Sequence, residues 1–174
     1  MLYSYNGNKP KINSPAFVAP DATLIGNIEV GKDSVILFGA IIRAENGSIV
    51  IGERSIVEDN VIIHGNNIDI GKNVIIQHNS CIHNCKIEDN VVIGTNCTIT
   101  ENVHIENGAM VLNNTIIYPN KKIKSRKKVW NRGNKLRMKR FGGTIDDKII
   151  ERNKKHINKV ISKMKNYNSS LKEL

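Results

Sequence analysis

Aliphatic residues recur every six positions along most of the chain, at Val18, Leu24, Val30, Ile36 and Ile42, then at Ile51, Val57 and Ile63. After a step of seven they resume at Ile70, Ile76 and Ile82. After a step of five they run on through Ile87, Ile93, Ile99, Ile105, Val111, Ile117 and Ile123. An α-helix repeats every 3.6 residues and a strand every two, so neither produces a six-residue beat. Four residues after each of these anchors a small or β-branched residue is usual, as at Ala22, Ser34, Ala40, Ser55, Ser80, Cys97, Ala109 and Thr115. Glycine often follows the anchor directly, at Gly31, Gly52, Gly71 and Gly94. Such self-similarity marks a stack of units, each of which buries its apolar face only against its neighbours.

The pattern resembles the hexapeptide repeat of left-handed parallel β-helices, in which three hexapeptides make one triangular coil. Eighteen hexapeptides then predict an all-β prism of about six coils over residues 1–123, about 29 Å tall at the ~4.8 Å spacing of neighbouring strands. Residues 124–143, dense in Lys and Arg with Gly133, Gly142 and Gly143, are expected to be a basic connecting segment. Residues 144–174 are expected to form a C-terminal α-helix and tail. There Ile145, Ile149, Ile150, Ile157, Val160, Ile161 and Met164 fall within an arc of about 160°, opposite Lys148, Arg152, Lys155 and Lys159. Thr144 is placed to cap that helix, with Asp147 at its third position. The apolar face predicts a helix lying along one wall of the prism or bridging to a neighbouring subunit.

Charge is divided unevenly. Residues 1–120 carry 7 Lys and Arg against 12 Asp and Glu, whereas residues 121–174 carry 19 against 4. A tail of +15 invites a phosphate or nucleic-acid partner. The simpler source is an AT-rich genome, which enriches Lys, Asn and Ile together. The few aromatics near the tail, Trp130, Phe141 and Tyr167, argue against stacking on single strands, so nucleic acid is not the expected partner. The opening "MLYSYNGNKPKINSP" lacks the apolar stretch of a secretory leader, and no apolar run reaches the length of a membrane span. Three cysteines, Cys81, Cys85 and Cys97, form no paired framework. A cytoplasmic chain without a membrane partner is expected, its thiols behaving as small buried hydrophobes.

The six-residue frame also sorts the histidines. Ile42, Ile63 and Ile82 are anchors of one wall in successive coils, so Arg43, His64 and His83, each one residue further on, form an outward-facing ladder. His64 and His83 then lie about one strand spacing apart, within reach of a single ion. His78 stands two residues after Ile76 on the preceding wall, above Asp59 two residues after Val57. One prism holds these two ladders on different walls. A three-fold assembly would bring the first wall of one subunit against the second wall of the next and complete a metal site there. His104 and His156 fit neither ladder and are expected in solvent.

Those residues, over about 10–141, resemble the γ-class carbonic anhydrase family. "RSIVEDNVIIHG" is similar to the strand leading to its first metal-binding His, "QHNSCIH" to its next two, and "IIRAENGSI" to the segment that carries its Arg-Gly-Asp. The resemblance implies a homotrimer in which His64 and His83 of one subunit and His78 of the next hold Zn²⁺, or Fe²⁺ or Co²⁺. It implies reversible hydration of CO₂ to bicarbonate by a metal-bound hydroxide, with Arg43 and Asp59 paired across the interface and Glu45 as an interface carboxylate. Glu58 stands where the family carries a Gln that orients the hydroxide. Its charge would raise the pKa of a bound water. The acidic proton-shuttle loop of the archaeal prototype has no counterpart in the short link "HGNNID", and the Pro of the family's Gly-x-Pro-Ala-Lys is missing near Gly133. Two other readings share the fold: a coenzyme A-dependent hexapeptide acyltransferase or thioesterase, and a non-catalytic, metal-stapled trimeric scaffold.

Overall fold

A computed structural model describes residues 1–140 and 145–170. The chain winds as a left-handed parallel β-solenoid of three flat walls, followed by one helix, Ile145–Ser170. The first wall stacks Phe17–Val18, Val35–Ile36, Ile56–Val57, Ile75–Ile76, Val92–Ile93, Met110–Val111 and Lys127–Arg132, all parallel. The second stacks Leu2–Tyr3, the start of Thr23–Val30, the start of Ile41–Ile51, Ile62–His64, Cys81–His83, Thr98–Ile99 and Ile116–Ile117. The third stacks Lys11–Ile12, the ends of the same two long strands, Asn67–Ile70, Lys86–Ile87, His104–Ile105 and Lys122–Ile123.

The anchors register with one another rung by rung, and every one from Leu24 to Ile123 is at most 1 % exposed. Each thus stands in a continuous column of aliphatic side chains, the form of core that a stack of short strands can build. The coils number seven rather than six. Leu2 and Ile12 add a rung below the first hexapeptides; Ile12 keeps the six-residue step to Val18, whereas Leu2, ten residues earlier, lies off the repeat. Val129, six residues after Ile123 but hidden among cations, adds one at the top. The inward small positions are held by hydroxyls bonded up the stack. Ser34 Oγ donates to the Gly52 carbonyl at 2.9 Å, Ser55 Oγ to Gly71 at 2.8 Å and Ser80 Oγ to Gly94 at 2.8 Å.

The corners need a left-handed residue three positions after the anchor, and asparagine supplies it most often. Asn60, Asn73, Asn79, Asn90, Asn96, Asn102, Asn114 and Asn120 all have φ between 54° and 60°. Asn tolerates that conformation better than other side chains because its short amide bonds locally.

The segment expected as a connection contains two strands. Lys127–Arg132 completes the first wall and Lys135–Arg140 returns antiparallel to it, forming a terminal hairpin. The helix then runs back along the outside of the first wall, burying Ile157, Ile161 and Met164. Thr144, the expected cap, lies outside the described residues. Among the described residues no helix is long and apolar enough to cross a membrane.

Candidate metal half-sites on two walls

The second wall carries the ladder that the frame requires. Arg43 pairs with His64 and His64 with His83 as neighbours in parallel register. The two rings lie 5.3 Å apart between centroids and are tilted by 38°. Their backbone is fixed just beyond the rings. Gly65 sits at φ +156°, where a Cβ would fall 2.1 Å from Asn84 Oδ1, and Asn84 itself adopts φ +37°. Asn84 Oδ1 accepts the Asn66 N–H at 2.7 Å, so one amide ties together the turns that follow both histidines.

Burial lowers the pKa of His64, helped by the Arg43 cation and by His83, against the pull of Glu45. The neutral imidazole, which keeps a lone pair for a cation, is thereby favoured. His83 Nδ1 lies 3.6 Å from Glu101. Arg43 is held by Glu45 of its own chain at 3.4 Å.

Outward positions beside this ladder are apolar and bare. Ile41 and Ile62, one position before their anchors, are each 43 % exposed, Ile116 is 41 % exposed, and Cys81 between them is exposed as well. They form one column by register, Ile41 to Ile62 to Cys81 to Thr98 to Ile116. The exposed Cys81 departs from the expectation of three buried thiols. Cys85 and Cys97 meet it, with burial pushing Cys85 up to about 12.

His78 sits on the first wall, its ring between two carboxylates. Nδ1 is 3.1 Å from Asp59 Oδ2 and Nε2 is 3.0 Å from Glu58 Oε2. Asp59 is fixed in turn by the Phe38 N–H at 3.1 Å, and Glu58 by the His78 backbone N–H at 3.3 Å. Glu58 points outward, yet its side chain is only 8 % exposed. The helix lies over it, with His156 Nε2 3.9 Å away.

His156 is therefore a neighbour of the site, though its side chain is still 49 % exposed, as expected of a solvated residue. Nothing in the hexapeptide frame could locate it, because it depends on where the helix docks. His104 is not free either, for its Nε2 lies 2.6 Å from Glu88 on the third wall.

Among the described residues of one chain, no three His, Cys, Asp or Glu are placed to hold a metal ion. What one chain offers is two fragments: a stacked imidazole pair on the second wall, and one imidazole oriented by carboxylates on the first. The donor types suit a borderline cation that prefers nitrogen ligands and has a carboxylate behind one of them.

Comparisons with known proteins agree with the architecture. The family model described as bacterial transferase hexapeptide (six repeats) matches residues 67–101. A carbonic anhydrase from Geobacillus kaustophilus is 37 % identical over 62 residues, 36 % of this chain and 34 % of that protein. The mitochondrial gamma carbonic anhydrase 3 of Arabidopsis thaliana is 38 % identical over 53 residues, 30 % of this chain and 20 % of its own length. The matched stretch thus spans about a third or less of these relatives. Among solved structures, a hexapeptide transferase family protein from Anaplasma phagocytophilum superimposes with a TM-score of 0.87 at 26 % identity, covering 95 % of this chain and 97 % of that one. A provisionally assigned acetyltransferase from Bacillus cereus does so at 0.86 and 28 %, covering 98 % of both.

Proposed function

Because the chain belongs to the hexapeptide-repeat family that takes in the γ-class carbonic anhydrases, we propose that it is a metalloenzyme of that kind. Its reaction would be the reversible hydration of CO₂ at the interfaces of a homotrimer. The observation that carries the reading is the in-register His64–His83 pair, facing outward on a wall whose apolar column is uncovered. A polar pair on a charged wall would read as surface. The same pair beside bare isoleucines reads as half of a site awaiting the other half.

His64 and His83 of one protomer and His78 of its neighbour would hold Zn²⁺, Fe²⁺ or Co²⁺. When bound, such an ion supplies the Lewis acidity that makes water nucleophilic near neutral pH. The remaining work falls to the chain. Asp59 accepts from His78 Nδ1, fixing the ring so that Nε2 is the nitrogen presented to a ligand. Glu58, screened by the helix, is an acceptor poised beside that nitrogen, able to take the hydrogen bond of the attacking water and set its direction. Arg43, restrained by Glu45, supplies positive charge one rung from His64, where a bicarbonate product would be attracted. The exposed isoleucines, once covered, exclude bulk water and strengthen each of these interactions.

The test is CO₂ hydration after loading with Zn²⁺, Co²⁺ or anaerobic Fe²⁺, with metal content measured alongside. His83→Ala is expected to lose bound metal and at least ~100-fold in rate, a ligand loss of more than about 2.7 kcal/mol. Unchanged turnover in His83→Ala would overturn the mechanism.

The likeness to the Bacillus cereus protein over 98 % of both chains supports a second reading, acyl transfer from coenzyme A in a groove between prisms. Saturable coenzyme A binding in a protein without CO₂ turnover would favour it.

A further inference from the structure

Residues 121–140 contain 11 Lys and Arg and no Asp or Glu. Genome bias does not place them there, because the preceding 120 residues of the same chain hold only 7. The structure makes the concentration more pointed. In the terminal hairpin three of the six cross-strand pairs set cation against cation: Lys127 opposite Arg140, Lys128 opposite Lys139, and Arg132 opposite Lys135. Like charges directly opposite in an antiparallel pair oppose folding. A ribbon that keeps the pairs Lys127–Arg140 and Arg132–Lys135 at its two ends is poorly matched to standing alone and well matched to an external polyanion.

The faces of the ribbon say which polyanion. Opposed residues share a face, and faces alternate along the strand. Lys128, Trp130, Arg132, Lys135, Arg137 and Lys139 therefore share one face, five cations around the chain's single tryptophan. Leu136 and the exposed Met138 lie on the other, with Val129, which enters the core.

A membrane-surface binder buries a continuous apolar face at the headgroup boundary. On the hairpin that face is turned to the prism, where Val129 is buried and Leu136 packs against the core, and only Met138 stays exposed, beside Lys127 and Arg140. The helix extends the charge. Its start is tied to the hairpin side of the prism by Arg126 and Asp147 at 3.6 Å. From there the exposed Lys148, Arg152, Lys155 and Lys159 run along the helix opposite its buried Ile157 and Ile161. The result is a band rather than a plane.

We propose that the hairpin face, extended by the helix stripe, binds the phosphate backbone of double-stranded nucleic acid without regard to sequence. A two-stranded ribbon fits the width of a duplex groove. Backbone neutralisation with counterion release needs no stacked aromatics, so the scarcity of aromatics, which weighs against single strands, does not weigh against a duplex. This role is independent of the metal half-sites, which lie on lower rungs of the prism.

The experiment titrates the full-length protein with a fluorescently labelled 24-bp duplex of arbitrary sequence by anisotropy, over a range of salt, with Trp130 emission as an internal readout. Binding is expected to weaken steeply with salt, log K falling with log[salt] at a slope of about −4 to −6, and Trp130 emission to change. Lys135→Glu/Arg137→Glu/Lys139→Glu should weaken it more than tenfold. Lys135→Glu alone, which sets an acid opposite Arg132, should weaken binding several-fold while the melting temperature holds or rises, which a merely structural lysine would not do. Lys9→Glu, at the opposite end of the prism, should bind as the parent does. The proposal is overturned by equal binding of the triple variant, by a preference for single strands, or by capture on 3:1 phosphatidylcholine–phosphatidylserine vesicles without duplex binding.

Discussion

The first and second walls are built on the same plan and finish differently. Both put an aliphatic anchor inward, and both put apolar residues outward one position earlier: Phe17, Val35, Ile56, Ile75 and Val92 on the first, Ile41, Ile62 and Ile116 on the second. The first set is at most 9 % exposed because the chain's own helix lies on it, whereas the second is more than 40 % exposed. The third wall shows what a solvated face of this prism looks like, with Glu29, Asp69, Lys86, His104 and Lys122 at the equivalent positions and Val50, 38 % exposed, the one aliphatic in that column. Apolar outer residues therefore mark a wall meant to be covered. One cover is intramolecular and present; the wall of the His64–His83 ladder has none among the described residues of its own chain.

The sharpest break of this comparison comes from the covered wall. Ile157→Asp puts a charge at a helix position that is 0 % exposed, against the first wall. It should cost about 3–5 kcal/mol, read as a large fall in the denaturation midpoint of the monomer. A loss below about 1 kcal/mol would mean that the helix is not needed to seal the first wall.

On the bare wall the same kind of change should act on assembly instead. Ile62→Asp is expected to leave the stability of the isolated chain within about 0.5 kcal/mol and to convert the proposed trimer of 19.5-kDa chains into monomers, with loss of the proposed metal. Sedimentation velocity with metal analysis distinguishes the outcomes. A trimer that survives Ile62→Asp places the interface elsewhere and separates it from the His64–His83 ladder.

Legibility in the sequence divides along the same line. The inward columns could be read because a buried anchor every six residues is a strong periodic signal, and that period fixed the register that stacks Arg43, His64 and His83. The corner asparagines were equally periodic but hidden by composition. A chain rich in Lys, Asn and Ile invites a genomic explanation, whereas the structure puts eight of those asparagines at positive-φ corners. That two walls ask for a cover was also present in the residue before each anchor, as Val-Ile, Ile-Val and Ile-Ile pairs on the first wall and Ile-Ile pairs on the second, but not which of the two the helix takes. Side-chain partners were not legible. That Glu45 takes Arg43, that Glu58 is roofed and meets His156, and that His104 meets Glu88 all depend on helix docking and rotamers, which no repeat encodes.

The third wall gives the smallest effect and the cleanest control, because its outer face, unlike the other two, is built mostly from charge. Glu106 accepts the Ser125 N–H at 2.9 Å and lies 3.0 Å from Lys122 and 3.6 Å from Lys124. The backbone bond first, and then the lysines, hold its carboxyl down at about 2, against an ordinary value of 4.5. A depressed carboxylate stabilises the fold above its unfolded pKa, and that contribution drains away as pH falls from there through the folded value. Glu106→Gln should therefore lower the melting temperature slightly at pH 7, and the difference between parent and variant should shrink from about pH 4.5 downward and vanish near pH 2. The apolar covers of the other walls carry no such titration. A difference that persists at pH 2 would trace the effect to packing rather than charge, and the third wall would then resemble the other two more than its sequence implies.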